Sequence, residues 1–169
     1  MPRVIKAYVR YVDAVNRVLG YFVMYLTLVM MGVLLYSSVS KAFFLPAIWT
    51  LELAQFLMAA YYILGGGYSM QLDAHVRMDV LYEHWRPKTR AFMDSITAFF
   101  LVFYLVFLMY GGISSSAYSL KYNQTNYSAW APPMAPIKII MTVGIVLMLL
   151  QAISIFFKDV AKFTGREIA

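Results

Sequence analysis

The sequence predicts an all-α integral membrane protein: four transmembrane helices with both termini in the cytoplasm, preceded by an amphipathic interfacial segment. Three observations carry this prediction. Hydrophobic residues make up 62% of the 169 and charged residues only 13%, against roughly 25% charged in a soluble domain. Four stretches of about 20 residues carry no charge, which is the length a helix needs to cross a hydrocarbon core about 30 Å thick. Finally, eleven of the 14 lysines and arginines lie in the N-terminal segment, the middle loop and the tail. Mean hydropathy is +0.68, and residues 1–169 read as one four-helix membrane domain.

Residues 1–17 come first. Arg3, Lys6, Arg10, Asp13 and Arg17 recur at intervals of three and four, so a helix puts them on one stripe. Val4, Ile5, Tyr8, Tyr11, Val12 and Val15 occupy the rest of the circumference. Such a segment either lies along the inner leaflet, with Arg3, Lys6, Arg10 and Arg17 as lipid-headgroup contacts, or extends the first span.

The first span covers about 18–39, uncharged between Arg17 and Lys41. No cleavage-site pattern follows it, so it reads as a retained span. The second covers about 50–72, opens at Trp49 and Glu52, and holds Gly65-Gly66-Gly67, which permit a bend or a close backbone approach. The third covers about 92–120, with no charge between Asp94 and Lys121. The fourth covers about 137–157 and ends at Lys158. Pro132, Pro133 and Pro136 before it suit an extended approach, because each restricts the residue ahead of it. Continuous apolarity without period-2 alternation selects helices over a barrel, and lipid cannot satisfy any more open backbone.

Orientation follows from the basic residues. Arg3, Lys6, Arg10 and Arg17, then Arg77, Arg86, Lys88 and Arg90, then Lys158, Lys162 and Arg166 fall on one side; Lys41, Lys121 and Lys138 fall on the other. The larger set belongs in the cytoplasm. Phe43, Phe44, Trp49, Tyr127 and Trp130 then form the outer aromatic belt, with Tyr82 and Trp85 at the inner one.

The chemistry carried by these residues is sparse. The chain has no cysteine, which excludes disulfides and thiolate sites. Its positive charge is distributed between apolar runs rather than on one face, which argues for lipid and against nucleic acid. His75 and His84 both lie in the middle loop, too far from the spans for a haem held between helices, and their carboxylate neighbours have no metal-ligand spacing. No intramembrane histidine or lysine can activate the serines and threonines of the spans. The sequence therefore predicts no catalysis and no cofactor. Glu52 and Asp94 approach the membrane, each within a turn of a helix start, where Lys41 and Arg90 are the expected partners.

Several motifs occur in order along these spans. Trp49-Thr50-Leu51-Glu52 opens the second. Gly67-Tyr68-Ser69-Met70-Gln71-Leu72-Asp73-Ala74-His75-Val76-Arg77-Met78-Asp79-Val80-Leu81-Tyr82 closes it and enters the middle loop. Ser128-Ala129-Trp130 with Pro132 and Pro133 precedes the fourth span, and Leu150-Gln151 lies near its end. On four spans with both ends inside, this resembles the small membrane subunit of tripartite ATP-independent periplasmic (TRAP) transporters, the DctQ-like family. The resemblance implies a sodium-coupled system for organic-acid uptake in the inner membrane of a bacterium or archaeon. It implies two partners, a large multi-span subunit that moves the substrate and a periplasmic substrate-binding protein. The small subunit would be a non-catalytic scaffold for the large one. Glu52, His75, Arg77, Asp79 and Trp130 are the candidate structural or subunit-interface residues, with Arg77 and Asp79 expected to pair and seat the middle loop. Two other readings compete, a membrane anchor of a redox complex and a stand-alone channel or exporter. The first lacks placed histidines and the second lacks polar pore-lining faces.

Overall fold

The computed structural model describes residues 3–72 and 87–163. They form four helices: α1 (Arg3–Phe43), α2 (Trp49–Gln71), α3 (Pro87–Lys121) and α4 (Ala135–Phe163). The described fold is thus all-helical apart from one isolated bridge between Thr125 and Pro133. Pro87 opens α3 at a first-turn position, where its missing N–H is not needed and its fixed φ suits the helix.

α1 corrects one expectation. Its 41 residues span about 61 Å at about 1.5 Å per residue, roughly twice the hydrocarbon thickness. Residues 3–17 are therefore not a separate helix; they continue into residues 18–43 without a break, the second of the two alternatives. No proline interrupts Arg3–Phe43, and this part of the helix has tertiary partners on α4. The stripe of Lys6, Arg10 and Arg17 is exposed as expected, while Val9, Val12 and Asn16 form the buried edge.

α1 packs on α2, α2 on α4 and α4 on α3, and α1 also touches α4. α2 and α4 are therefore the inner pair, with α1 and α3 flanking them. The N-terminal half of α1 and the C-terminal end of α4 meet at one end of the bundle. Near that end, Met70, Leu105, Leu149 and Ala152 from α2, α3 and α4 form a buried cluster. Close approach of the inner pair requires Gly144: a Cβ there would lie 2.5 Å from Ile63 Cγ2 and 3.2 Å from the Ile63 carbonyl carbon. A small residue at a helix interface lets two backbones approach in this way.

α1, α3 and α4 are long and apolar enough to cross a membrane. α2 is not among them, because Glu52, Gln55, Gln71 and its glycine triplet lower its hydropathy. Its position between α1 and α4 accounts for that composition, since a helix screened by neighbours needs less apolar surface. Outward faces are apolar where no helix covers them: Tyr21, Tyr25 and Leu28 on α1, and Phe99, Phe103 and Phe107 on α3, are all exposed within the chain.

The connection between α3 and α4 departs from expectation only in its proline stretch. It is not simply extended. Asn126 N–H donates to the Pro132 carbonyl at 3.0 Å and Met134 N–H to the Gln124 carbonyl at 2.8 Å, closing a small hairpin-like loop. Asn123 (φ 45°) and Ala131 (φ 47°) make its left-handed corners. Asparagine tolerates that region; alanine pays a steric cost there.

Candidate functional site: a polar clamp between the first and last helices

Polar side chains inside the bundle collect at its two ends. At the first end, a chain of hydrogen bonds crosses from α1 to α4. Lys158 Nζ donates to Asp13 Oδ2 at 2.7 Å, Gln151 Nε2 donates to Asp13 Oδ1 at 2.9 Å, and Asn16 Nδ2 donates to Gln151 Oε1 at 2.8 Å. Asn16 Nδ2 also donates to the Val12 carbonyl at 3.1 Å. Tyr8 adds a bond from its hydroxyl to the Leu150 carbonyl at 3.0 Å and an edge-on contact with the Phe157 ring.

Charge fixes the polarity of this chain. An ionised Asp13 can only accept, so Gln151 must turn its NH₂ toward it. The Gln151 oxygen is then directed to Asn16, which must answer with its own NH₂. One carboxylate thus orients two amides. Asn16 and Gln151 are 1% and 0% exposed, whereas Asp13 and Lys158 retain 20% and 30%. The ion pair therefore caps the network at its wetter edge and the amides form the dry interior. Each charged hydrogen bond contributes about 1.5–3 kcal/mol, reduced here by the remaining solvent contact.

α2 closes the clamp. A Cβ on Gly67 would stand 2.5 Å from Asn16 Oδ1, so only glycine lets the amide lie against the α2 backbone. Asn16 Oδ1, Gln71 Oε1 and Ser154 Oγ are buried without a hydrogen-bond partner. A helix C–H beside Asn16 Oδ1 offers a weak substitute donor.

At the other end, hydroxyls do similar work. Thr50 Oγ1 donates to the Ala47 carbonyl, so Ser37 supplies the proton in their 2.9 Å bond, tying α1 to α2. Thr142 Oγ1 donates to the Lys138 carbonyl, so Ser116 likewise donates to Thr142 at 2.9 Å, tying α3 to α4. Lys138 Nζ then reaches Gln124 Oε1 in the loop at 2.8 Å.

The candidates named from sequence are distributed as follows. Glu52 is buried on the first turn of α2, but its Oε2 has no partner and the expected pair with Lys41 does not form; Lys41 is exposed at the end of α1. The helix N-terminal dipole is what favours that carboxylate. Trp130 is 41% exposed on the α3–α4 loop. Lys6, Arg10 and Arg17 share a cleft beside Asp13 and Lys158. Arg3 opens α1. His75, Arg77 and Asp79 lie outside the described residues, as do the side chains of Arg3, Arg90 and Asp94.

Sequence reasoning missed Asp13, Asn16 and Gln151 as a unit. Spacing alone assigns Asp13 to the water-facing stripe. The available signal was Gln151, a glutamine inside an otherwise apolar run, which needs a hydrogen-bonding partner on another helix. Chemically the cluster holds donors, acceptors and one ion pair, with no nucleophile beside a base. Among the described residues, no three histidine, aspartate or glutamate side chains converge on a metal position.

The family model described as "Tripartite ATP-independent periplasmic transporters, DctQ component" matches residues 30–162. No curated protein sequence matches the chain. The match takes in α2, α3 and nearly all of α4, including Gln151 and Lys158, but begins after Asp13 and Asn16 on α1. Covering well over half of the chain, it establishes that this protein belongs to the DctQ family, the small membrane components of TRAP transporters.

Proposed function

We propose that this chain crosses the membrane four times with both termini in the cytoplasm, and that it is the non-catalytic scaffold of a sodium-coupled TRAP transporter for organic acids. One observation carries the scaffold reading. The buried polar side chains of the bundle bond mainly to one another at its two ends, while the outer faces of α1 and α3 are apolar. A solute path would need polar groups facing a shared channel. A transporter-component family also favours a role without catalysis. Sodium coupling and organic-acid cargo rest on the family resemblance.

In this reading the partners are a large multi-span membrane subunit and a periplasmic binding protein, in a bacterial or archaeal cytoplasmic membrane. α2 is a membrane crossing as well, shielded by α1 and α4. His75, Arg77 and Asp79 seat the middle loop on the large subunit, Trp130 faces the outer side, and Glu52 is an orienting charge at the outer interface.

Reconstitution tests the whole proposal. Proteoliposomes holding both membrane subunits, supplied with binding protein and a sodium gradient, should accumulate substrate, and omitting this chain should abolish uptake. Flux through this chain alone would refute the scaffold role. Arg77→Ala should reduce co-purification with the large subunit; an undiminished complex with full transport removes the seating role of that loop.

A further inference from the structure

We propose that the cleft between the N-terminal part of α1 and the end of α4 binds the headgroup of an anionic phospholipid, whose acyl chains lie along α1. The proposal rests on the reading that this end of the bundle sits at the cytoplasmic leaflet. The cleft holds about 450 Å³ and is lined by Lys6, Arg10, Arg17 and Lys158, with Asp13 as its one carboxylate among the described residues.

The charge in the cleft is not self-neutralised. Both Asp13 oxygens are engaged, one by Lys158 at 2.7 Å and one by Gln151 at 2.9 Å. Among the described residues, Lys6, Arg10 and Arg17 have no carboxylate partner. Three cations thus line a concave surface whose only anion among the described residues is already paired.

The surface below the cleft selects the kind of anion. Residues 6, 10, 13 and 17 repeat at helical spacing, and the same stripe continues as Tyr21, Met24 and Leu28, which are 55%, 59% and 61% exposed. Its character changes from cationic to apolar at residue 18, where the uncharged run begins. Lys158 ends the uncharged run of α4 and meets Asp13 beside the same cleft, so both helices place their charge boundary at one level. A soluble phosphate or carboxylate uses only the upper half of such a stripe. A diacyl phospholipid uses both, with the phosphate among the arginines and the chains against Tyr21, Met24 and Leu28. Side chains on α1 lean toward its N-terminus, which carries the Arg17 guanidinium outward to headgroup level. Basic residues at the cytoplasmic face attract anionic lipid in this manner.

Native mass spectrometry of the full chain, taken from nanodiscs of mixed phosphatidylglycerol and phosphatidylcholine, tests the site. The wild type should retain one phosphatidylglycerol molecule in preference to phosphatidylcholine. Lys6→Gln/Arg10→Gln should lower that retention about thirtyfold, from roughly fivefold per basic residue. Those two positions lie beyond the membrane boundary and outside the clamp, so a variant chain that still inserts and folds keeps the comparison valid. Adding Arg17→Gln should remove the preference altogether. Equal retention of both lipids, or retention untouched by the substitutions, overturns the proposal. Full displacement by millimolar inorganic phosphate overturns it in favour of a free-anion site. If lipid retention persists while co-purification of the large subunit falls, an acidic partner segment occupies the cleft instead. Loss of lipid preference without any change in subunit assembly supports the site and leaves the scaffold reading intact.

Discussion

Replacing Gln151 by leucine isolates the clamp. The substitution keeps side-chain volume but removes two bonds, to Asp13 Oδ1 at 2.9 Å and from Asn16 Nδ2 at 2.8 Å. Hydrogen bonds between membrane helices average about 0.6 kcal/mol and reach about 1.7; the bond to a carboxylate belongs near the upper value. Asp13 Oδ1 is then left without a protein donor, and Asn16 Nδ2 keeps only the Val12 carbonyl, adding a desolvation cost of about 1 kcal/mol. The expected loss is about 2–3 kcal/mol. Asn16→Leu strands only Gln151 Oε1 and should cost about 1–2 kcal/mol. The double variant removes both amides and should cost about 2–3 kcal/mol, well below the sum, which gives a coupling of about 1–2 kcal/mol. Reversible unfolding in SDS and mild-detergent micelles, followed by helical circular dichroism, measures all four corners of the cycle. Additivity within about 0.5 kcal/mol would mean that the two amides share no bond, and the clamp as drawn would be wrong.

Four further outcomes follow from particular positions. Gly67→Ala should destabilise the chain by about 1–3 kcal/mol, since its Cβ would stand 2.5 Å from Asn16 Oδ1. Gly32→Ala, which meets nothing within 4 Å, should be neutral or stabilise by up to about 1 kcal/mol in the same unfolding assay. Ala131→Val should lower the melting temperature in detergent, because a β-branched residue suits φ 47° still less than alanine, while Ala131→Gly should be close to neutral. Glu52→Gln should leave the isolated chain as stable as wild type or slightly more so, because the buried Oε2 has no donor to lose; a clear loss of stability would reveal a partner for this carboxylate. In the assembled transporter the same variant should reduce assembly or uptake, and full retention of both would leave Glu52 no role as an interfacial charge.

The helices were legible because membrane solvation is a one-dimensional property of sequence. An uncharged run of the right length identifies α1, α3 and α4 whatever they pack against. The stripe of Lys6, Arg10 and Arg17 was legible for a similar reason, since helical spacing alone puts those residues together. Asp13 shows where such reasoning stops. Its spacing assigns it to that stripe, yet it sits at the edge of the α4 contact and pairs with Lys158, 145 positions away. Angular position on one helix is local, whereas the direction from which a neighbour arrives is set by packing of the whole bundle. The α3–α4 loop failed differently. Its prolines announced an interrupted helix, but the bonds from Asn126 and Met134 across the turn depend on two left-handed residues, and Ala131 gives no warning of that conformation.

The placement of polar groups also explains how a bundle of largely apolar helices acquires a single register. In lipid, apolar side chains gain little by leaving the membrane for one another, so α1 could slide along α2 and α4 with small changes in contact energy. Two features oppose this. Gly67 and Gly144 fit one facing residue each, Asn16 and Ile63, so a shift would place other side chains against their backbones. The hydrogen bonds at the two ends act on a longer lever. Asn16–Gln151 and Ser37–Thr50 grip α1 about 30 Å apart, from 21 residues at about 1.5 Å each. A shift by one helical position would break both grips together, whereas either alone would allow the helix to pivot. α3 has the Ser116–Thr142 bond at one end and the Leu105 contact with Met70 and Leu149 nearer the other. Each flanking helix is therefore held at two separated levels on the α2–α4 pair. A subunit built in this way presents α1 and α3 as rigid outer faces, which is the mechanical property that the proposed scaffold role requires.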